Sequence, residues 1–161
     1  MAFSGNALSV TFKKELMFGA HDFDTSTGDT YKCALFTNSA VPTDFGGSGS
    51  TMDATVANYA TNNEVTGTNY SAGGQTMNTI DPTFTGTTAF VDFDNVVFST
   101  VTINSVRGAI VYNTTPNTTS IALTNPAICV LDFGNDKAAS AGDFTIIMPT
   151  ADASNALIRI A

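Results

Sequence analysis

The stretch from residue 106 to residue 112, Val-Arg-Gly-Ala-Ile-Val-Tyr, constrains the fold of this chain more than any other segment. Its β-branched and aromatic side chains are typical of a strand. In an extended strand the even-numbered residues point to one side and the odd-numbered residues to the other. Only Arg107 is charged, so we expect both faces of this strand to be largely covered by other parts of the protein.

Similar apolar runs recur along the chain, and Pro82, Pro116, Pro126 and Pro149 fall between them, as strand hydrogen bonding requires. Eight such runs with turn signals between them predict an all-β domain over residues 1–161. We expect a two-sheet antiparallel β-sandwich with the jelly roll as its leading topology. The predicted strands are residues 30–37, 75–80, 89–98, 100–104, 106–112, 127–133, 144–148 and 156–160.

Residues 6–19 are the best helix candidate. Asn6 can cap the start of this helix and Gly19 can end it. An apolar stripe of Leu8, Phe12 and Leu16 predicts one buried face, whereas Met17 and Phe18 point elsewhere. Two alternatives follow: the helix packs only on its own sandwich, or it also contacts a partner chain.

Residues 38–72 have no regular period, apart from a possible helical turn near residues 53–59. Such a long irregular loop in a compact domain is usually functional or mobile. We expect it to lie on a neighbouring subunit or to be flexible, because it cannot bury enough apolar surface on itself. The candidate partner-contact residues from this loop, the helix and the N-terminus are Phe3, Leu8, Phe12, Leu16, Met17, Phe18, Phe45 and Tyr59.

Composition excludes several classes of function. The net charge is −8, and the six basic residues are scattered, which argues against binding to a nucleic-acid backbone. No apolar run approaches the roughly 18 residues of a membrane span, and no secretory signal is apparent, so synthesis in a cytoplasm is expected. Charged residues make up only 12% of the chain, so the surface is unusually neutral; it either contacts neighbouring subunits or is simply threonine-rich.

The sequence offers few groups for chemistry. Cys33 and Cys129 are far apart in an apolar context and predict buried reduced thiols, with a disulfide or metal site as the alternative. Arg107 and Arg159 lie within apolar strands, so each either pairs with a carboxylate such as Asp92, Asp94 or Asp132, or faces solvent at a sheet rim.

The single histidine, His21, lies beside Asp22 and Asp24 in a polar turn, but no GxSxG nucleophile motif accompanies it. The turn has oxygen ligands at alternate positions, like a calcium loop, yet its glycine and its missing glutamate do not fit that motif. We therefore expect a plain turn, no catalysis, no metal and no cofactor.

Segments spread over nearly the whole chain resemble a family of small structural proteins from the virions of tailed bacteriophages. Each segment is short, and their order and spacing carry the resemblance. The chain departs from the family pattern by an insertion at residues 46–51. The segments are residues 9–16, 21–23, 29–37, 59–65, 70–74, 89–93, 107–113, 130–134 and 141–145.

The resemblance implies a non-enzymatic capsid decoration, or cement, protein on the outer surface of the virion. Proteins of this kind form homotrimers that bind the major capsid protein and clamp its subunits together. The alternative is a head- or tail-surface β-sandwich module that binds host glycans or other virion proteins. Sugar sites usually use exposed aromatic side chains, and the absence of tryptophan disfavours this alternative.

Overall fold

A computed structural model describes residues 3–161, so Met1 and Ala2, with which the predicted domain begins, lie outside the described residues. Within these described residues, one α-helix and nine strands make up the regular structure, together with a short 3-10 helix at Pro42–Phe45. In chain order the elements are β1 (Ala7–Leu8), α1 (Val10–Met17), β2 (Tyr31–Phe36), β3 (Gly67–Thr68), β4 (Gln75–Met77), β5 (Thr79–Thr85), β6 (Thr88–Phe93), β7 (Val96–Asn113), β8 (Ala127–Ile146) and β9 (Ile158–Ile160).

The strands form two antiparallel sheets. The larger sheet has the order β1-β8-β7-β2-β4, with β3 paired to the first half of β7, and the smaller sheet has the order β5-β6-β9. Val91 of β6 and Ile158 of β9 share one apolar core with Tyr31, Val111 and Cys129 of the larger sheet. The predicted all-β class, with two antiparallel sheets and one N-terminal helix, is confirmed, whereas the jelly-roll topology stays a prediction.

The 106–112 stretch lies in β7, at the centre of the larger sheet, and every residue in it is buried. Ala109 and Val111 pack into the core between the sheets. Ile110 and Tyr112 pack on the opposite face, against residues of the loop that follows β2. The prediction that both faces of this strand are covered is therefore confirmed.

The predicted alternation within this stretch is wrong at Val106. The pairing of β7 with β8 shifts register between Val106 and Gly108, and Ser105 just before has a φ of 57°. A bulge of this kind turns a side chain to the other face of the sheet. Val106 consequently packs in the same core as Ala109 and Val111, rather than with Ile110.

Strand boundaries differ most in the pair β7–β8. The predicted strand 89–98 divides between β6 and β7, and the predicted strands 100–104 and 106–112 merge into β7. Two further predicted strands merge into β8 across residues 134–143. That polar segment lacks the alternation of a strand, but it pairs with β7, for example at Val106–Lys137 and Val101–Gly142. Ladder hydrogen bonds join backbone groups, so a partner strand can extend a sequence whose side chains give no strand signal.

The helix is shorter than the predicted 6–19. Ala7 and Leu8 pair instead with Val130 and Cys129 as β1, because the edge of β8 offers them backbone hydrogen bonds. Asn6 does not cap the helix; its side-chain oxygen accepts a hydrogen bond from the N–H of Asp132. At the other end the prediction is confirmed, since Gly19 has a φ of 65° and its N–H bonds back to Leu16.

The loop at residues 38–72 covers its own chain, which corrects the expectation of a flexible or neighbour-bound segment. Phe45, Met52 and Val56 are fully buried against Phe36 and Ile110 on the outer face of the larger sheet. The expectation considered only the surface that the loop could bury on itself and missed the uncovered sheet face beside it. The possible helical turn near residues 53–59 is absent, and turns and an isolated bridge occupy that segment.

Candidate interaction surface

The structure divides the predicted partner-contact residues into three groups. Phe3, Phe12 and Phe45 are each only 1% exposed, so their side chains belong to the internal cores and not to a contact surface. The prediction that these three residues contact a partner is wrong, because their rings pack against apolar side chains of the same chain. Met17 is 89% exposed and Phe18 is 46% exposed. Leu8, Leu16 and Tyr59 are half-buried.

An apolar and cationic surface lies on the outward side of α1. Val10, Lys13, Lys14 and Met17 are spaced i, i+3, i+4 and i+7, so they share one side of the helix, and Phe18 follows at its end. All five side chains are exposed, and we call this set the helix face. A surface helix usually turns charged and polar residues outward, so exposed Val10, Met17 and Phe18 are unusual there.

The opposite side of α1 is held firmly on the protein. Phe12 packs against the rings of His21 and Phe23, at centroid distances of 5.0 and 6.2 Å. The hydroxyl of Ser9, just before the helix, donates to the carbonyl of Val56 at 2.7 Å. The only acidic residue of the helix, Glu15, points inward to His21, which leaves the helix face without a negative charge.

His21, the only histidine, is a structural residue in this arrangement. Its Nε2 lies 2.9 Å from a carboxylate oxygen of Glu15, and its Nδ1 lies 3.0 Å from the side-chain nitrogen of Asn113. The Asn113 nitrogen also donates to Asp29, and its oxygen accepts from the N–H of Thr115, which fixes the amide orientation. Nδ1 is therefore the acceptor and Nε2 carries the proton, so neither ring nitrogen of this buried side chain is available to a substrate.

The acidic turn at residues 22–29 uses its carboxylates to bond its own backbone. One oxygen of Asp24 accepts hydrogen bonds from the N–H groups of Ser26 and Thr27. Asp22 accepts from the N–H of Asp24, and Asp29 accepts from the N–H of Asp22. The N–H groups of Thr27 and Ser26 and the Thr27 hydroxyl hold the pKa of Asp24 below its ordinary value. These are the bonds of an Asx-type turn, which agrees with the plain turn expected from the sequence.

A second polar cluster fastens the loop that follows β2. Glu64 accepts hydrogen bonds from the hydroxyls of Tyr59 and Tyr70, at 2.7 and 2.6 Å, and from the N–H of Gly73 at 2.8 Å. Tyr112 donates to the carbonyl of Gly73 and stacks on Tyr59 with ring centroids 4.2 Å apart. Burial, followed by the nearby Glu64 carboxylate, raises the pKa of Tyr59 and of Tyr70.

The two cysteines are buried free thiols, as predicted. Cys33 on β2 and Cys129 on β8 both pair with Val111 on the intervening strand β7. The two cysteines are therefore separated by two strand spacings. Two strand spacings amount to roughly 9.5 Å, which exceeds the reach of a disulfide at about 7 Å between Cα atoms. Burial raises the pKa of Cys129 to about 12, so its thiol stays protonated and unreactive.

Of the two arginines within strands, one lies beside carboxylates and the other faces solvent. Arg107 is buried, with its Nε 3.4 Å from Asp132 and an Nη 3.7 Å from Asp136. Asp132 is one of the carboxylates expected for it from the sequence. Arg159 is exposed, and its guanidinium donates to the carbonyl of Ser154, so it follows the solvent-facing alternative.

Sequence reasoning missed two further apolar features around the smaller sheet. Phe84, Ala89 and Ile160 are paired across β5, β6 and β9, and Phe84 and Ile160 are 74% and 61% exposed. An open groove of about 860 Å³ separates the edge of β8 from the segment leading into β9. It is lined by apolar side chains such as Phe144 and Leu157, with Lys137 and Arg159 at the same site. The alternation of apolar and polar residues within one strand does not reveal which of its apolar side chains are left uncovered by the rest of the protein.

Among residues 3–161, no group of three or more His, Cys, Asp and Glu side chains is arranged to hold a metal ion. The α-helix of this described part is too short to cross a bilayer. No protein-family model, curated protein or solved structure matches this chain.

Proposed function

We propose that this chain is a non-enzymatic structural protein of a tailed-bacteriophage virion. In this proposal it decorates the outer surface of the head, as a homotrimer, and stabilises contacts between subunits of the major capsid protein. Neither nucleic acid nor a membrane takes part. The proposal combines the order and spacing of the family-like segments with the character of the exposed surface.

The observation that carries the proposal is the exposure of Met17 and Phe18 at the end of a firmly anchored helix. Large apolar side chains that stay in water on a rigid element mark an interaction site. The polar side chains that sequence reasoning considered for chemistry, such as His21 and Asp24, are engaged in internal hydrogen bonds. A binding surface on a chemically inert fold is what a cement protein requires.

Trimerisation would make such a surface effective. Each copy presents one helix face, and three linked copies can engage several shell subunits at once. Linked contacts reinforce one another because the second and third form at a high effective concentration. A moderate contact per copy is therefore sufficient to clamp a shell.

The glycan-binding alternative loses support from the placement of the tyrosines. Tyr31 and Tyr112 are buried, and Tyr59 and Tyr70 are half-buried with their hydroxyls bonded to Glu64. Glycan sites rely on exposed aromatic faces beside free carboxylates and amides. The four tyrosines of this chain are used inside the fold instead.

The test is to add the purified protein to undecorated heads of the phage that encodes it. We expect light scattering to give about three times the chain mass of 16.7 kDa, saturable binding to the heads, and a higher temperature of head rupture. Serum albumin at the same concentration is the control for non-specific protection. Failure of the protein to bind the heads or to raise their rupture temperature would reject the proposal.

A further inference from the structure

The two sheets are joined along one side of the fold and separate along the other. On one side, β4 and β5 belong to different sheets with only Asn78 between them, so the chain passes directly from sheet to sheet there. On the opposite side, β8 and β9 are not paired with each other. The open groove of about 860 Å³ lies between them, and we call it the β8 groove.

The outer edge of β8 has almost no strand partner. Among the described residues, β8 pairs along one edge with β7, and along its other edge only Cys129 and Val130 pair, with β1. Asn6 accepts a hydrogen bond from the N–H of Asp132, but no strand covers this edge from there to Ile146. Proteins normally cover or interrupt a long edge strand, because its backbone N–H and C=O groups can pair with another chain.

The edge strand β5 is interrupted in this way. It carries Pro82, which has no N–H to donate, and its pairing with β6 shifts register between Ile80 and Thr83. By contrast, β8 contains no proline, and its pairing with β7 is regular from Phe144 to Ile146. This part of the β8 edge is therefore able to accept a further strand.

Apolar side chains line the β8 groove. Phe144, Ile147 and Leu157 line it together with the buried Ile146 and Met148. Ile147 is 80% exposed, so apolar surface at this edge is in contact with water. Alternate side chains of an extended segment point to the same side. A strand added to β8 therefore buries every second side chain against this lining.

Two cations at the groove determine the charge of the segment that fits. Lys137 and Arg159 line it, and neither forms an ion pair with a carboxylate in the described part of the chain. Asp132 also lines the groove, but it is paired with Arg107. Asp152, which lies near Arg159, accepts hydrogen bonds from N–H groups of its own turn. A segment that carries a carboxylate is therefore complementary to the groove in charge.

A second copy does not supply such a segment from its described residues. All fourteen carboxylates of the chain are engaged within their own copy, in a hydrogen bond or an ion pair. On the exposed edge strand β5, Asp81 accepts a hydrogen bond from the N–H of Thr25, and Pro82 interrupts the edge. To offer a free extended segment with an available carboxylate, a second copy would have to unfold in part.

We propose that the β8 groove is a strand-acceptor site for another protein. An extended segment of that protein, with alternating apolar and polar side chains and at least one carboxylate, pairs with the open edge of β8 near Phe144. Its apolar side chains enter the groove, and its carboxylate lies beside Lys137 and Arg159. The inference rests on the edge, the lining and the charges, and it does not depend on the proposed function.

The test begins with a displayed library of random linear peptides about ten residues long, the length of a long strand. The purified full-length protein is the immobilised target, and immobilised serum albumin removes non-specific binders. The most enriched peptide is then synthesised, and its affinity is measured by fluorescence anisotropy. We expect enriched peptides to alternate apolar and polar residues and to carry at least one Asp or Glu.

Variants of the groove locate the binding site. Lys137→Gln/Arg159→Gln removes both cations, and Ala138→Trp places a large ring at an exposed position of the lining. Lys13→Gln/Lys14→Gln is the matched control, because it removes two cations from α1. We expect both groove variants to weaken binding by at least about tenfold and the control to bind within about twofold of wild type. Thermal unfolding of each variant checks that it is folded.

Methylation of the peptide backbone tests strand pairing. Two versions of the peptide carry N-methyl groups on odd-numbered or on even-numbered residues, whose N–H groups face opposite sides of an extended strand. A peptide that pairs with β8 loses at least about tenfold in affinity in one version or both, because the methyl group removes the donor. A peptide held only by its side chains binds equally well in both versions.

Several outcomes would overturn the inference. These are no enrichment above the albumin control, enriched peptides without carboxylates, equal binding to wild type and the groove variants, and equal binding by both methylated versions. A change of oligomer mass in the groove variants, measured by light scattering, would show that a second copy fills the groove. The proposed function is tested separately by binding to heads, so its failure and the failure of this inference are distinguishable.

Discussion

Gly108 lies where a side chain on β7 would meet both the neighbouring strand and Phe3. A Cβ at this position would lie 2.4 Å from the carbonyl oxygen of Leu131 and 2.4 Å from the Phe3 ring. Such a close approach to backbone cannot be relieved by a rotamer change. Glycine is required here for space, since its φ is not in the left-handed region.

We predict that Gly108→Ala lowers the free energy of unfolding by about 1–3 kcal/mol or more, because the core is overpacked. Gly142→Ala is the matched control on β8, since its Cβ would lie 3.8 Å from its nearest neighbour, the backbone oxygen of Ser140. We expect this control to change stability by less than about 0.5 kcal/mol. Urea unfolding of both variants measures the difference, and equal effects would contradict the steric explanation.

The groups around Asp132 change the pKa of its carboxyl. Burial alone would raise the pKa of this carboxyl, but the N–H groups of Gly5 and Gly134 and the Arg107 guanidinium together hold its pKa below the ordinary value. A lowered pKa in the folded state means that the ionised carboxylate stabilises the fold at neutral pH. This stabilisation is lost as the pH falls below about 4 and through the folded-state pKa.

We predict that Asp132→Asn lowers the free energy of unfolding by about 1–2 kcal/mol at pH 7 and by much less at pH 3. The variant should therefore lose less stability than wild type between these two pH values. Chemical denaturation at both pH values gives the comparison. A constant difference between variant and wild type at the two pH values would show that the charge of Asp132 is not what stabilises the fold.

At the scale of elements, the loop that follows β2 acts as a third layer on the larger sheet. Phe45 is fully buried and meets the Phe36 ring edge-on at a centroid distance of 5.1 Å. Glu64 and its tyrosine partners close the far end of the same loop. The loop has almost no regular structure, yet it buries apolar surface as a strand or helix would.

We predict that Phe45→Ala lowers the free energy of unfolding by about 3–5 kcal/mol, because it leaves a cavity between the loop and the sheet. Phe84→Ala is the matched control, since that ring is 74% exposed and its loss should change stability by less than about 0.5 kcal/mol. Limited proteolysis should cut the Phe45 variant within residues 38–60 before it cuts wild type. Equal proteolysis of the two proteins would mean that the loop is not held by Phe45.

At the scale of the whole molecule, all four tyrosines have a raised pKa. Burial is the largest cause for each of them, and nearby carboxylates add to it. The unfolded chain ionises its tyrosines near pH 10, whereas the folded protein keeps them neutral well beyond that value. Their neutral form therefore stabilises the fold fully below pH 10, and this contribution is lost as the pH rises above it.

We predict that the native protein shows no tyrosinate absorbance near pH 10 and that all four tyrosines ionise together when the fold unfolds at higher pH. The near-ultraviolet absorbance of tyrosinate, followed beside the circular dichroism of the fold, measures both events. The protein unfolded in urea at each pH is the control, and it should titrate near pH 10. Ionisation of two or more tyrosines before any loss of structure would contradict the prediction.

The sequence by itself determined the fold class, the central place of residues 106–112 and the state of both cysteines. These features follow from local patterns, since alternation and apolar context are properties of neighbouring residues. It also identified Met17 and Phe18 as side chains that the helix could not bury with its main apolar stripe. The same reasoning placed Phe3, Phe12 and Phe45 on a contact surface. That prediction was wrong, because the structure buries all three rings inside the chain.

Only the tertiary structure decided which apolar residues stay in water. Phe45 and Phe84 are both phenylalanines next to polar residues, and they differ because a sheet face lies beside one and not beside the other. Pairing with β7 likewise made residues 134–143 a strand, and a bulge beside Ser105 turned Val106 into the core. Burial and pairing depend on residues distant in the chain, so the physical cause of each outcome lies in the assembled sheets and not in the local sequence.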